Sequence, residues 1–167
     1  NLALIVTASW ALALSRYLGS DQLRLALWHG TSPRPVPLDV QIRGTQSLLA
    51  WLADLAVALN GPMGPASVGS VAGGLCLDPC AATAMDVPVL TLDDRRSGLT
   101  TLGLQFDRAR VDEPAAARLL AQVARTVDSI LTDPHQRLVD VDVLPPDESA
   151  LLVGTWNATT RDFGDNR

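Results

Sequence analysis

Histidine is the side chain most often used as a general base near neutral pH, and the sequence contains two, His29 and His135. They stand far apart in the chain, and neither lies directly beside an acidic residue. His29 follows a predicted strand, and His135 belongs to the predicted turn at 133–137. Because a loop or surface position explains both histidines, we predict that this chain contains no catalytic residue.

The two cysteines, Cys76 and Cys80, are separated by three residues. A structural zinc site needs four ligands, and a thioredoxin-like motif has two intervening residues, so neither chemistry fits. Cys76 and Cys80 are the one pair that could form a disulfide. In a reduced cytosolic setting the favoured interpretation is two buried or loop thiols. We therefore predict no metal ion and no cofactor.

Two further motifs have simple structural explanations. Residues 69–74 (GSVAGG) partly resemble a phosphate-binding loop, but they lack its Gly-Lys-Ser/Thr ending and a clear strand before and helix after. A loop within the Gly/Pro/Ser-rich stretch 61–75 is favoured. Residues 93–96 (DDRR) are predicted to form the solvated tip of a hairpin.

Apolar spacing and capping residues predict three helices that would position any site. The first has apolar residues on nearly all sides, so it should be central. Asp112 and Pro114 give the third a typical start. The predicted helices are 2–18, closed by Gly19; 46–60, closed by Gly61; and 112–132.

Alternating or continuous apolar runs predict strands between these helices. In the first strand, Leu23, Leu25 and Leu27 should face one way, and Arg24, Ala26 and Trp28 the other. The predicted extended segments are 23–28, 38–42, 87–92, 99–107 and 138–144, with 93–98 as a hairpin turn. A short helix is predicted after Pro145 and Pro146. This order indicates an α/β domain with antiparallel hairpins.

Composition limits the classes of function. The chain has 167 residues, 47% hydrophobic and 19% charged, which argues against disorder. A net charge of −5 disfavours nucleic acid and anionic membranes as partners. The apolar run 2–14 is shorter than the ~20 residues of a membrane span. With no signal peptide visible, we expect a cytoplasmic protein.

The second half of the chain resembles the end of a condensation domain from a nonribosomal peptide synthetase. Residues 102–107 (LGLQFD) resemble the family's late strand, and 116–134 its long C-terminal helix with the closing Asp-Pro. Residues 139–163 resemble its last strand, last helix and the linker into the adenylation domain. The most telling residues are Trp156, Asn157, Thr159 and Phe163. The resemblance implies that these four lie at the adenylation-domain linker or interface.

The first half resembles the C-terminal lobe of the same family, through residues 4–19, 23–35 and 47–59. The resemblance implies an α/β fold, namely a two-layer α/β sandwich like one lobe of the chloramphenicol acetyltransferase-like condensation fold. We expect a shortened condensation-like domain over 1–155 and a linker toward an adenylation domain over 156–167.

Two features of the family are missing. Its signature, two adjacent histidines followed by an Asp-Gly, belongs to the N-terminal lobe and does not occur here. After Pro35 the chain also lacks the family's Val-Gly-Leu-Phe-Ile-Asn-Thr stretch. Nothing therefore carries over as catalytic, and the chain is not expected to be an enzyme by itself.

Two functions follow from the resemblance. The first is a non-catalytic partial condensation domain that acts as a structural platform or interaction module beside the adenylation domain of the same module. The second is the C-terminal half of a catalytic condensation domain, which would form peptide bonds between carrier-bound aminoacyl groups once an N-terminal lobe is supplied. Further partners considered are a carrier protein, a trans-acting tailoring enzyme and a second copy of the chain.

Overall fold

The structure, a computed structural model, describes residues 1–28, 34–61, 69–77, 86–93 and 100–143. Within these ranges the chain forms three α-helices, five β-strands and one short 3-10 helix. In chain order they are α1 (Leu2–Leu18), β1 (Gln22–Trp28), β2 (Val36–Gln41), α2 (Leu48–Asn60), β3 (Gly73–Cys76), β4 (Val89–Asp93), β5 (Thr101–Gln105), α3 (Glu113–Thr132) and the 3-10 helix Leu138–Asp140.

The strands form one mixed sheet in the order β2-β1-β3-β4-β5. The central pairs β1–β3 and β3–β4 are parallel, and the outer pairs β1–β2 and β4–β5 are antiparallel. Asp93 lies opposite Thr101, so the predicted pairing of the last two strands is confirmed, although turn residues 94–99 lie outside the described residues. The α/β fold with antiparallel hairpins is also confirmed.

Helix α1 is the central helix, as predicted. Ten consecutive residues, 6–15, are buried, and Trp10 is 0% exposed. Gly19 ends the helix with φ 63°, the left-handed conformation that glycine adopts without a Cβ clash, and its N–H donates to the Ser15 carbonyl. No helix in the described ranges combines the length and apolar character of a membrane crossing.

The other two helices begin directly after capping residues, α2 at Leu48 and α3 at Glu113. The side chain of Ser47 accepts a hydrogen bond from the Ala50 N–H at the start of α2. Asp112 does the same for the Ala115 N–H at the start of α3, with an N···O distance of 2.7 Å. Each cap satisfies a backbone donor that the helix itself leaves unpaired.

Two predicted segments were wrong in part. The glycine-rich stretch 61–75 was predicted as a loop, but Gly73–Cys76 forms the buried strand β3. Residues 138–144 were predicted to be extended, but Leu138–Asp140 forms a 3-10 helix, closed by an Arg137–Asp140 ion pair. Val141 and Val143 still pack on the core, which explains the misleading alternation.

The two faces of the sheet differ. Helices α1, α2 and α3 pack against one face, where Leu25, Leu27 and their neighbours join the main core. Ala26, Trp28, Cys76 and Val89 form a second, smaller cluster on the other face. The described helices and sheet thus make a two-layer α/β sandwich, and the predicted alternation of β1 is confirmed.

Candidate functional site

Several predicted site residues lie outside the described part of the chain. They include His29 and Cys80, and the four residues predicted for the adenylation-domain linker or interface: Trp156, Asn157, Thr159 and Phe163. Their roles stay predictions. The short helix predicted after Pro146 falls outside it as well.

His135 is described, and it lies in a turn beyond the end of α3, as predicted. The side chain is exposed, and the residue's backbone N–H donates to Asp133 Oδ1 at 3.0 Å. This geometry explains the residue as part of the turn that redirects the chain toward the 3-10 helix. Among the described residues, no cluster of three or more His, Cys, Asp or Glu side chains is arranged to hold a metal ion.

Cys76 corrects the interpretation of the cysteines as thiols. It closes β3, is 2% exposed, and its sulfur is disulfide-bonded. The burial agrees with the prediction, but the oxidation state does not. The expectation of free thiols rested on the cytosolic compartment inferred for the chain, where disulfides are rare.

The glycine-rich motif serves packing within the sheet. A Cβ on Gly74 would lie 2.8 Å from Val89 Cγ2 and 2.9 Å from Trp28 Cζ3, distances that real Cβ atoms do not show. A Cβ on Gly73 would meet Leu14 on the helical side. These two glycines therefore let β3 lie between large side chains on both faces, which replaces the phosphate-loop interpretation.

The candidate site is the accessible border of the sheet face opposite α1, α2 and α3. The centre of this face is buried and out of reach of a partner, since Trp28 is 1% exposed, and its indole N–H has no hydrogen-bond partner among the described residues. The border is accessible and polar: Arg24 binds Asp39 through two hydrogen bonds of 2.6 and 2.9 Å, and both side chains are largely exposed. The accessible part of this face is therefore polar, as the rim of a protein interface is.

The Arg24–Asp39 pair also limits the chemistry of this face. The hydrogen bond from the Arg24 guanidinium lowers the pKa of Asp39 below its usual value. A general acid or base near neutral pH needs the opposite shift, toward the working pH. The arrangement therefore suits binding better than proton transfer.

The β2 edge of the sheet is protected. Pro37 interrupts the row of backbone donors along β2, and the Gln41 carbonyl accepts a hydrogen bond from Trp51 Nε1 at 2.9 Å. Both devices block pairing with another strand. The apolar spacing of a helix indicates which side chains are buried, but it does not indicate a bond from the Trp51 indole to a strand.

No protein-family model matches the chain. The nonribosomal peptide synthetase easA of Emericella nidulans is 34% identical over 77 residues, which is 46% of this chain and 1% of that protein. Malformin synthetase mlfA of Aspergillus sclerotiicarbonarius is 26% identical over 147 residues, which is 82% of this chain and 3% of that protein. The chain thus spans a small part of the synthetases that it matches.

Solved structures match most of the chain. The starter condensation domain of rhizomide synthetase RzmA has a TM-score of 0.72 at 15% identity, covering 86% of this chain and 45% of that one. The first condensation domain of the CDA synthetase has a TM-score of 0.70 at 13% identity, covering 87% and 42%. The X-domain from teicoplanin biosynthesis, solved in complex with OxyB, has a TM-score of 0.60 at 17% identity, covering 87% and 43%.

The matched length is less than half of each of these structures, whereas it covers most of this chain, which forms a five-stranded sheet with helices on one face. This arrangement corresponds to one lobe of the two-lobed, chloramphenicol acetyltransferase-like fold. The chain therefore has a partial condensation-domain fold of the kind found in nonribosomal peptide synthetases.

Proposed function

We propose that the chain is the C-terminal lobe of a condensation-type domain and serves as a non-catalytic platform for the neighbouring adenylation domain. The observation that supports this best is the accessible polar border of the sheet face opposite the helices. Arg24 and Asp39 are exposed on the β1–β2 side of that face, and Thr101 and Gln105 are exposed on β5 at its other side. A partner domain that docks there would contact these side chains and not the centre of the face, where Trp28 is buried.

The polar groups of this face favour a platform over a catalyst. Asp39 is held ionised by Arg24, and Thr91 Oγ1 donates to the Gly103 carbonyl at 3.2 Å. Neither group is poised to take a proton from a substrate. The two histidines of the sequence are not adjacent, so the family's signature pair would have to come from elsewhere.

Calorimetry of this chain with the adjacent adenylation domain tests the proposal. Thr101 and Gln105 are exposed on the sheet face opposite the helices, so Thr101→Arg and Gln105→Arg should each weaken binding about tenfold, or about 1.4 kcal/mol. The matched control is Val57→Arg, which changes an exposed α2 residue on the helical side. Absence of binding, or equal affinity for all variants, contradicts the platform.

A second function, the C-terminal half of a catalytic condensation domain, is favoured by the coverage of less than half of the matched structures. Co-expression with an N-terminal lobe that contains the histidine pair tests it. Peptide-bond formation between carrier-bound aminoacyl groups, unchanged in His135→Ala, would support this function. No product with a folded two-lobe complex would leave the platform as the better explanation.

The X-domain match suggests a related outcome for the binding experiment, since that X-domain was solved in complex with OxyB. Titrating a carrier protein and a trans-acting tailoring enzyme alongside the adenylation domain distinguishes these partners. Binding of either one in preference to the adenylation domain would make the lobe a recruiting module.

A further inference from the structure

The two outer strands of the sheet differ in the protection of their free edges. Strand β2 carries Pro37, and its Gln41 carbonyl already accepts a hydrogen bond from the Trp51 indole. Strand β5 contains neither a proline nor a charged residue, and no described strand pairs with its outer edge. An unprotected edge of this kind is a template with which another strand can pair.

The pairing within the sheet determines which backbone groups β5 presents at that edge. The Gly74 N–H donates to the Pro88 carbonyl, so the even-numbered residues of β4 direct their backbone groups toward β3 and the odd-numbered ones toward β5. The odd-numbered residues of β4 pair with Thr101, Gly103 and Gln105. The N–H and C=O groups of the residues between these, Leu102 and Leu104, therefore point to the free edge.

The sequence of β5 is nearly symmetric about its middle residue. Residues 101–105 read Thr-Leu-Gly-Leu-Gln, so leucines flank Gly103 and polar residues end the strand. When β5 of a second copy lies antiparallel with the two Gly103 residues opposite each other, Leu102 of each copy pairs with Leu104 of the other. Each such pair exchanges two hydrogen bonds, and this satisfies every outward N–H and C=O group of the four leucines.

The side chains fit the same register. Leu102 and Leu104 are half-buried and pack on the main core, and the leucines of a second copy would cover part of their remaining surface. Thr101 and Gln105 are exposed on the other face, where Thr101 of one copy would lie opposite Gln105 of the other. At the centre the two Cα atoms approach to about 4.5 Å, and Gly103 has no side chain to oppose this.

We propose that two copies of this chain pair through β5 and form a two-fold symmetric dimer, in which the two five-stranded sheets become one continuous sheet. The contact closes on itself because both copies use the same strand, and the protected β2 edges stop further growth. An edge contact buries little surface, so we expect a dissociation constant in the micromolar range. The proposal does not rest on the platform function, because it concerns the chain alone and is tested without an adenylation domain.

The test is sedimentation velocity of the full chain from about 1 μM to about 1 mM, a range that includes micromolar dissociation constants. We expect a concentration-dependent shift from monomer to dimer, without larger species. Leu102→Pro removes an outward N–H from each copy and none from the β4–β5 ladder, so it should weaken the dimer at least tenfold. The matched control is Leu102→Ala, which keeps this N–H and should weaken the dimer less.

Charged side chains test the register without changing the backbone. Thr101→Glu combined with Gln105→Glu places like charges opposite each other across the dimer and should weaken it about tenfold. Thr101→Lys combined with Gln105→Glu is the matched control, because it places opposite charges there and should preserve the dimer. Within one copy the two positions are about 13 Å apart, so repulsion inside a chain is small.

If Leu102→Pro does not fold, the two charge variants decide by themselves. A parent chain that stays monomeric throughout the concentration range overturns the proposal. A dimer that is unchanged in a folded Leu102→Pro variant, or that responds equally to both charge variants, also overturns it, since the contact would then use another surface.

Discussion

Gly73→Ala is the substitution whose cost the structure defines best. The added Cβ would lie 2.7 Å from Leu14 Cδ1, 3.1 Å from Trp10 Cζ2 and 3.2 Å from the Pro88 carbonyl oxygen. Leu14 could adjust, but the Pro88 carbonyl is held by the Gly74 N–H at 2.9 Å. The chain therefore cannot simply move away from the new methyl group.

Two opposing contributions set the expected change in the free energy of unfolding. Forcing an extra methyl into a packed core costs about 1–3 kcal/mol. Replacing glycine also lowers the entropy of the unfolded chain, which offsets about 0.4–1 kcal/mol. We expect Gly73→Ala to lower the free energy of unfolding by about 1–2 kcal/mol. Urea denaturation followed by tryptophan fluorescence measures this change.

Gly44→Ala is the matched control, because its Cβ would meet only Val139 Cβ at an ordinary 3.7 Å. It should be neutral or slightly stabilising. In a double-mutant cycle, Leu14→Ala should cost less in the Gly73→Ala background than alone, since truncation relieves the closest contact. If Gly73→Ala proves as stable as Gly44→Ala, the close packing of β3 against α1 is refuted.

Three further predictions follow from single contacts. Asp112→Ala removes the N-cap of α3 and should cost about 1 kcal/mol in thermal or urea unfolding, whereas Asp112→Asn should cost little; equal losses would contradict a capping role. Trp51→Phe leaves the Gln41 carbonyl without its donor and should cost about 1 kcal/mol, measured by urea unfolding; no loss would show that water replaces the indole. Asp39 has a lowered pKa in the folded protein because it pairs with Arg24. The pair therefore stabilises the fold at pH values above 3.8, the ordinary carboxyl pKa, and this contribution is lost as the pH falls further and Asp39 takes up a proton. The stability difference between parent and Asp39→Asn should therefore be small at pH 7, because the pair is exposed, and should vanish in acid; a difference that grows in acid contradicts the pairing.

The functional hypotheses differ in the partner that binds. A platform would bind the adenylation domain at the border of the sheet face opposite the helices, where Thr101 and Gln105 are exposed. A catalytic half would bind an N-terminal lobe, and a recruiting module would bind a carrier protein or a tailoring enzyme.

Local signals explain how much of the fold could be predicted. Ser47 and Asp112 satisfy orphan backbone donors within three residues of themselves, so their effect is visible in a short window of sequence. Gly19 ends α1 through its own backbone conformation. The continuous apolar character of residues 6–15 indicates a helix that is buried on all sides, even when the elements that bury it are unknown. These elements could be predicted without knowing which segments pack against them.

The remaining features depend on residues distant in the chain. Gly73 and Gly74 are indistinguishable from loop glycines until Leu14, Trp28 and Val89 are placed around them. The disulfide state of Cys76 likewise depends on what lies near its sulfur.

Capping and periodicity act over a few residues, and they are therefore enough to predict the helices and most of the strands. The central place of β3 in the sheet, the absence of a described helix from one sheet face, and an apolar pocket between α1 and α3 are visible only in the folded chain. Each of these depends on close approach between segments that are far apart in sequence, and such approach is set by packing rather than by local propensity.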